Sequence, residues 1–354
     1  MLEKLTAEAI FLLQELIRLP SYSREEQQSG DLLEKFFLEK DFHPQRKGNN
    51  IWVQLPDFQI DKPTVLLNSH HDTVKASPSW TLDPFKPLIK EGKLYGLGSN
   101  DAGASLVGLA AVFLYFSRQK TLPFNLIYCA SAEEEVSGKG GIESIITDLG
   151  KIDLGIIGEP TLMQMAVAEK GLLVLDCASK GVSGHAAREE GLNAIYEAMP
   201  DIQWFSTYQF PKKSDLLGPV KMTVTQIQAG TQHNVVPDTC TFVVDVRTNE
   251  HYSNAEILQL IENQVKCSVK ARSLRLNSSQ IPLTHPIVKR GLELGLTYYG
   301  SPTLSDQALL SFPTIKIGIG DSARSHTADE FVFIREIEEG IKIYVELLEG
   351  LNVN

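Results

Sequence analysis

Thr64-Val65-Leu66-Leu67-Asn68-Ser69-His70-His71-Asp72 is the stretch whose reading decides the fold. Its apolar first half has the character of a buried strand, and that strand ends by delivering His70. The pattern recurs twice. Asn125 to Ser131 reads as a strand that ends at Glu133-Glu134-Glu135, and Leu154-Gly155-Ile156-Ile157-Gly158 as one that ends at Glu159. Between them, after the glycines at 96, 98 and 103, the run from Ser105 to Phe116 reads as a buried helix. Strand, polar tip and helix in repetition predict an α/β sheet with its chemistry at the strand ends.

Working outward, residues 3–19 place Leu5, Ile10, Leu12, Leu13, Leu16 and Ile17 at helical spacing, and Pro20 stops the run. A second helix is expected from about Glu25 to Glu39 with Leu32, Leu33, Phe36 and Phe37 facing inward, followed by a strand over Asn50 to Leu55. From Leu172 the character changes. Strands over Leu172 to Lys180, Val220 to Ile227, Thr239 to Val246 and Lys270 to Leu276 alternate with helices over Leu192 to Phe205 and Ala255 to Val265. This βαββαβ order predicts an α+β two-layer domain, 172–279, inserted into a mixed-sheet α/β domain made of 1–171 and 280–354. The α/β pattern resumes near Ile281, supplies His326 and closes with a helix from Ile334 to Leu348.

A chain of 354 residues exceeds one ordinary core, which agrees with two domains. The net charge of −11 argues against nucleic acid and against anionic membranes, since both need a basic footprint. Cys129, Cys177, Cys240 and Cys267 form no close pair in sequence and read as buried free thiols of a reducing compartment. Gln14, Glu15 and Arg18 interrupt the first apolar run, so it is an amphipathic helix rather than a secretory signal. The expected location is cytoplasmic.

Side chains two apart on an extended segment share a face, so His70 and Asp72 point together and His71 points away. His70 is assigned as a metal ligand and Asp72 as the carboxylate that holds its other ring nitrogen. Gly96-Leu97-Gly98-Ser99-Asn100-Asp101 lacks the third glycine of a dinucleotide loop, with Asp101 in its place. The glycines instead aim Asp101 into the site, where two carboxylate oxygens can bridge cations about 3.5–4 Å apart. Metal-assisted hydrolysis needs one glutamate to hold metal and another to take a proton from water, and the 133–135 cluster can supply both. Glu159, ahead of Pro160, is a further hard-oxygen ligand.

With these motifs in this order, the chain resembles the zinc-dependent aminoacylase and peptidase family that contains acetylornithine deacetylase, succinyl-diaminopimelate desuccinylase and carboxypeptidase G-type enzymes. The resemblance covers nearly the whole chain. It implies two divalent ions, Zn2+ or alternatively Co2+, with His70, Asp101 and Glu159 on one and Asp101, Glu135 and His326 on the other. It also implies Glu134 as general base, although three consecutive glutamates allow a slip to Glu133 as base and Glu134 as ligand. Gly181-Val182-Ser183-Gly184-His185-Ala186 is similar to the family element whose histidine polarises the scissile carbonyl of a neighbouring subunit, which makes His185 an oxyanion donor in a homodimer. Asn234 and Arg247 look like the family's substrate contacts. The family's lysine two residues after the bridging aspartate is absent, and Gly103 in that place is expected to loosen the loop.

The implied reaction is hydrolysis of the amide of a small N-acyl amino acid. Gly320-Asp321-Ser322-Ala323-Arg324-Ser325-His326-Thr327 resembles the corresponding segment of the acetylornithine and acetyl-lysine deacetylases, which favours N-acetylornithine. Arg324 is a candidate reader of a succinyl carboxylate, as in N-succinylornithine or N-succinylcitrulline, or else the partner of Asp321. A metallo-dipeptidase, a carboxypeptidase or a succinyl-diaminopimelate desuccinylase is the alternative enzyme. A non-catalytic binding protein would have lost ligands or base, and none is missing.

Overall fold

The computed structural model describes residues 1–188 and 190–353. The chain divides into two compact units, one of Met1–Val167, Gln280–Tyr299 and Ser305–Asn354, the other of Ala168–Ser279 and Gly300–Leu304. Residues 168–171 and 300–304 thus group with the second unit. Gly171 pairs with Thr248 on the neighbouring strand, and the Lys170 N–H donates to the Ser301 carbonyl at 3.0 Å.

In the first unit the Thr64–His70 strand lies between Asn125–Ser131 and Leu154–Ile157, parallel to both, and Thr314–Lys316 continues the parallel set. Asn50–Gln54 and Gln45–Lys47 extend the sheet antiparallel, which makes it mixed. The register sets His70 opposite Ser131 and Asn68 opposite Ile157, so the residues that follow each strand emerge at one edge of the sheet. Every residue of the three central strands is buried, which explains why they read as continuous apolar runs rather than alternating ones.

The Ala104–Phe116 helix buries every residue but Tyr115 and packs against the Leu2–Ile17 and Ile334–Leu348 helices. The stretch Ser99–Phe116 is apolar and long enough to cross a membrane, but 89% of it is buried inside the protein, as in a core helix. On the Gln27–Leu38 helix only Leu33 and Phe37 are buried among the four residues expected inside. Phe37 meets Tyr128 with ring centroids 5.0 Å apart, while Leu32 and Phe36 line an open groove beside the exposed Phe11.

The second unit is a four-stranded antiparallel sheet in the order Lys221–Ala229, Thr239–Thr248, Gly171–Lys180, Ser268–Ala271. The helices Ala194–Thr207 and Asn254–Glu262 complete the βαββαβ order. Phe205, Phe242, Leu173, Leu175, Ile257 and Ile261 share its core. Asn193 caps the first helix by accepting from the Ile195 N–H at 2.9 Å, and Ser253 with Glu256 closes a capping box on the second. The last strand stops at Ala271 rather than running to Leu276, because beyond it the chain turns away to cap the second helix: the Asn277 side chain accepts from the Asn254 N–H at 2.9 Å.

Candidate active site

His70 is the last residue of its strand and only 2% exposed. Its Nδ1 lies 2.9 Å from the Asp72 backbone carbonyl, which can only accept, so Nδ1 carries the hydrogen and Nε2 is the free ligand atom. That Nε2 faces Asp101 Oδ1 at 3.4 Å and Glu159 Oε1 at 3.8 Å. The Asp72 carboxylate lies 3.5 Å from the same Nδ1, so its backbone carbonyl makes the shorter contact with the ring. The carboxylate also accepts from Ser23 Oγ at 2.6 Å and from the N–H groups of Glu134 and Glu135 at 3.0 and 3.2 Å. His71 turns away, as its place on the strand requires, and lies between Ser29 Oγ and the Asn49 carbonyl at 2.9 Å each.

Asp101 sits where the Gly96–Gly103 loop leaves helical geometry, with φ −115° and ψ 100°, next to Gly98 at φ 73°. Its second oxygen faces His326 Nε2 at 3.6 Å. Gly103 is itself helical, and a Cβ there would lie 2.4 Å from the Gly98 carbonyl oxygen, so the glycine permits close approach rather than loosening the loop.

The three glutamates separate cleanly. Glu133, at φ 56°, is turned into the Gly138–Gly140 loop, where the Gly140 N–H donates to it at 3.3 Å. Glu135 pairs with His326 Nε2 at 3.0 and 3.3 Å. Among the described residues no side chain hydrogen-bonds the Glu134 carboxyl. Burial, with the charges of Glu159, Asp306 and Glu135, pushes it well above the usual carboxyl range despite His70.

Ligand atoms of His70, Asp101 and Glu159 lie within 4.8 Å of one another, and so do those of Asp101, Glu135 and His326. Asp101 belongs to both groups. The donor chemistry fits a pair of divalent cations: imidazole nitrogen and carboxylate oxygens converge in each group. In the metal-free protein, protons fill that role. Burial opposes it, yet the Asp101 and Asp72 carboxylates, as acceptors beside the ring, raise His70 well above its ordinary value. Burial and the Asp101 charge push Glu159 up to about 8, and the Glu135 bond lifts His326 to about 9.

Three buried acids and the half-buried Glu336, none of them singled out by sequence patterns, complete the surroundings. Glu330 accepts from the N–H groups of Gly98, Asn100 and Asp101, and burial with the nearby Asp101 charge pushes it up to about 8. Asp306 accepts from Asn68 Nδ2 at 2.8 Å and Ser131 Oγ at 2.5 Å under the strand ends. Burial pushes it up to about 6. Glu26 accepts from the Glu133 N–H at 3.1 Å, and Glu336 holds Arg324. Glu330, Asp306 and Glu26 act on groups far away in sequence, whereas Glu336 also accepts from the Phe333 N–H three residues before it.

Arg324 is a correction. Its guanidinium forms a two-pronged pair with Glu336 at 2.9 and 2.6 Å, donates to the Phe331 carbonyl at 3.3 Å, and lies over the Phe331 and Phe333 rings. Its Nη1 and Nη2 are thus committed to Glu336 and the Phe331 carbonyl rather than to Asp321, whose carboxylate accepts from the Ala323 N–H. In the second unit His185 is exposed and accepts at Nδ1 from the Ala187 N–H at 3.1 Å. The short strand Gly184–His185 pairs with Val235–Val236, and Ala186 N–H donates to the Asn234 carbonyl, so His185 and Asn234 are neighbours. Arg247 pairs with Asp245 at 2.9 and 3.1 Å and stays half-buried.

Known proteins resemble the chain throughout. It is 23% identical to succinyl-diaminopimelate desuccinylase 2 of Ruegeria sp. (strain TM1040), over 94% of this chain and 92% of that one. It is 29% identical to acetylornithine deacetylase of Proteus mirabilis (strain HI4320), over 81% of this chain and 79% of that one. In structure it is similar to YxeP of Bacillus subtilis, a dinuclear metal-binding peptidase, with a TM-score of 0.75, 15% identity and coverage of 99% and 100%. Residues 66–350 match a known peptidase family, and the chain belongs to it: peptidase family M20/M25/M40.

Proposed function

We propose that the chain hydrolyses the amide bond of a small N-acyl amino acid, with N-acetylornithine or its N-succinyl counterpart as the substrate class. The observation that carries this reading is Asp101 shared between two three-donor groups, beside a Glu134 carboxyl that no side chain among the described residues hydrogen-bonds. A bound pair of Zn2+ or Co2+ ions would be held by His70, Asp101 and Glu159 and by Asp101, Glu135 and His326, and would supply Lewis acidity toward water and carbonyl oxygen. Glu134 takes the proton of the attacking water and returns it to the leaving amine, a role suited to a carboxyl whose affinity for protons is raised. The turn of Glu133 away from the site supports Glu134 rather than Glu133 as base.

His185 donates to the developing oxyanion from a partner subunit in this proposal, with Asn234 beside it and Arg247 as a substrate contact. Dimer formation is supported by the Lys221–Ala229 strand, which lies at the edge of its sheet with an exposed outer side, and by the exposed Tyr196 and Met199. Cleavage of N-succinyl-diaminopimelate is the second reading, favoured by the Ruegeria relative that spans 94% of the chain.

Amine release from N-acetylornithine, N-succinylornithine, N-succinylcitrulline, N-succinyl-diaminopimelate and dipeptides, with Zn2+ or Co2+ added back, tests these readings together. One acyl amino acid should lead, and Glu134→Gln should lose on the order of 10²–10⁴ in kcat while keeping two ions. Mixing inactive Glu134→Gln with inactive His185→Ala should restore one working site per mixed dimer. Faster dipeptide turnover, or an active Glu134→Gln, sinks the assignment.

A further inference from the structure

The turn that presents Asp101 breaks helical geometry at Asp101 and Ala102, and several backbone N–H groups ahead of the break need acceptors from elsewhere. They converge on one residue. Glu330 Oε2 accepts from the Gly98 N–H at 3.0 Å, and Oε1 accepts from those of Asn100 and Asp101 at 2.8 and 2.9 Å. The Glu330 backbone carbonyl takes a fourth, from Gly96, at 3.0 Å.

Strand pairing brings Glu330 there. Phe331 sits opposite Tyr95, which places the preceding residue beside the start of the loop. Glu330 is 2% exposed and lies beside a centre already dense with carboxylates. A buried carboxyl in such a place is costly unless its oxygens are hydrogen-bonded, and three backbone N–H groups supply those bonds. Glu330 also follows His326 by four residues, so one side chain ties the segment of the exposed donor group to the loop of the shared one. Asn100 strengthens that tie, donating to the Asp321 carbonyl at 3.0 Å and accepting from the Asp321 N–H at 2.9 Å.

We propose that Glu330 is the positioning residue for Asp101: by accepting three N–H groups of its loop, it fixes the carboxylate both donor groups share and so sets the affinity for both cations together. The proposal rests on the two-cation reading of the site. Outer partners of metal ligands typically change affinity by about 10–100-fold, which is the scale expected here.

Zinc uptake by the metal-stripped full-length protein, measured by chelator competition alongside thermal melting, tests it. The wild type should take up two ions. Glu330→Ala should weaken both by about tenfold or more, with Glu330→Gln, which keeps one acceptor oxygen, in between. Phe205→Leu, a core change in the other unit, should lower the melting temperature and leave both affinities alone. Should Glu330→Ala not fold, Glu330→Gln against wild type decides the matter in the same way. Folded Glu330 variants that bind both ions within about twofold of wild type overturn the proposal, as does a loss confined to the ion on His326. A wild type that takes up no ion overturns the two-cation reading itself, a result distinct from unaltered Glu330 variants on a two-ion background.

Discussion

The two donor groups share Asp101 and are otherwise built from different material. On one side His70 ends a strand in the middle of the sheet, 2% exposed, and Glu159 follows the neighbouring parallel strand in register with it. On the other side His326 stands in a loop at φ 58° with its side chain 54% exposed, and Glu135 lies in a short turn after Glu133 at φ 56°. The second side takes its shape from bonds between loops: Asn100 to Asp321, and Asp329 accepting from the Thr81 and Leu82 N–H groups at 2.9 Å each. A ligand carried on a sheet is placed by the core. A ligand carried on loops is placed by a few hydrogen bonds and, once bound, by the cation.

Replacing the histidines one at a time tests that contrast where the effect is largest. His70→Ala and His326→Ala should each cost the bound ion, and with it several kcal/mol of charge stabilisation, about 10²–10³ in kcat. Metal content should fall from two toward one in both. Stability of the metal-free protein should separate them. His70→Ala leaves the Asp72 carbonyl and buried carboxylates without their partner and should cost about 1–3 kcal/mol, whereas His326→Ala should stay within about 0.5 kcal/mol. Equal melting losses in urea would show that the loop side is as deeply built into the fold as the strand side.

The same contrast decides how much was legible in the sequence. His70, Glu159 and the Glu133–Glu135 cluster were visible because buried parallel strands leave apolar runs, and a polar tip after such a run stands out. Asp101 was visible through its glycines. Glu330, Asp306 and Glu26 were not, since each acts on groups far along the chain: Glu330 bonds the Asp101 N–H across 229 residues. Arg324 was misread for the same reason. Its partner Glu336 lies a helical turn beyond a strand, and only the Phe331-Val332-Phe333 alternation hinted at the ring platform beneath it. The inserted unit was legible as βαββαβ because each element keeps its own period, and it failed at Ala271, where side-chain caps replace the ladder.

Removing metal at different pH values sharpens the comparison at a smaller scale. His326 has its folded pKa raised to about 9, so its pair with Glu135 contributes fully below about 6.5 and is lost as pH rises through 9. Glu159 and Glu330, both pushed up to about 8, hold protons in the folded state that the unfolded chain has released above about 4.5. All three therefore make the metal-free protein lose stability as pH rises from about 5 to 9. Bound cations compete with those protons, so the gap in melting temperature between loaded and stripped protein should widen over that range. A gap that narrows with rising pH would mean that the carboxylates are not sharing a site with cations.

Arg324→Ala should give the smallest change and bears on the loop side alone. The Arg324 side chain is 13% exposed and that of Glu336 17%, so the pair is shielded enough to matter, and its loss should cost about 1–3 kcal/mol. The arginine spans the Phe331 carbonyl and Glu336 from two residues before His326, so removing it should loosen the His326 end of the site. The ion on Asp101, Glu135 and His326 should bind a few-fold more weakly, while the ion on His70 and Glu159 is unmoved. Since Glu336 holds Nη1 and Nη2 of Arg324, turnover of N-acetyl- and N-succinylornithine should fall by the same factor. A selective loss on the succinyl substrate would mean that the arginine leaves Glu336 when substrate arrives, and the loop side would then be an element that moves during binding rather than one merely less rigid than the strand side.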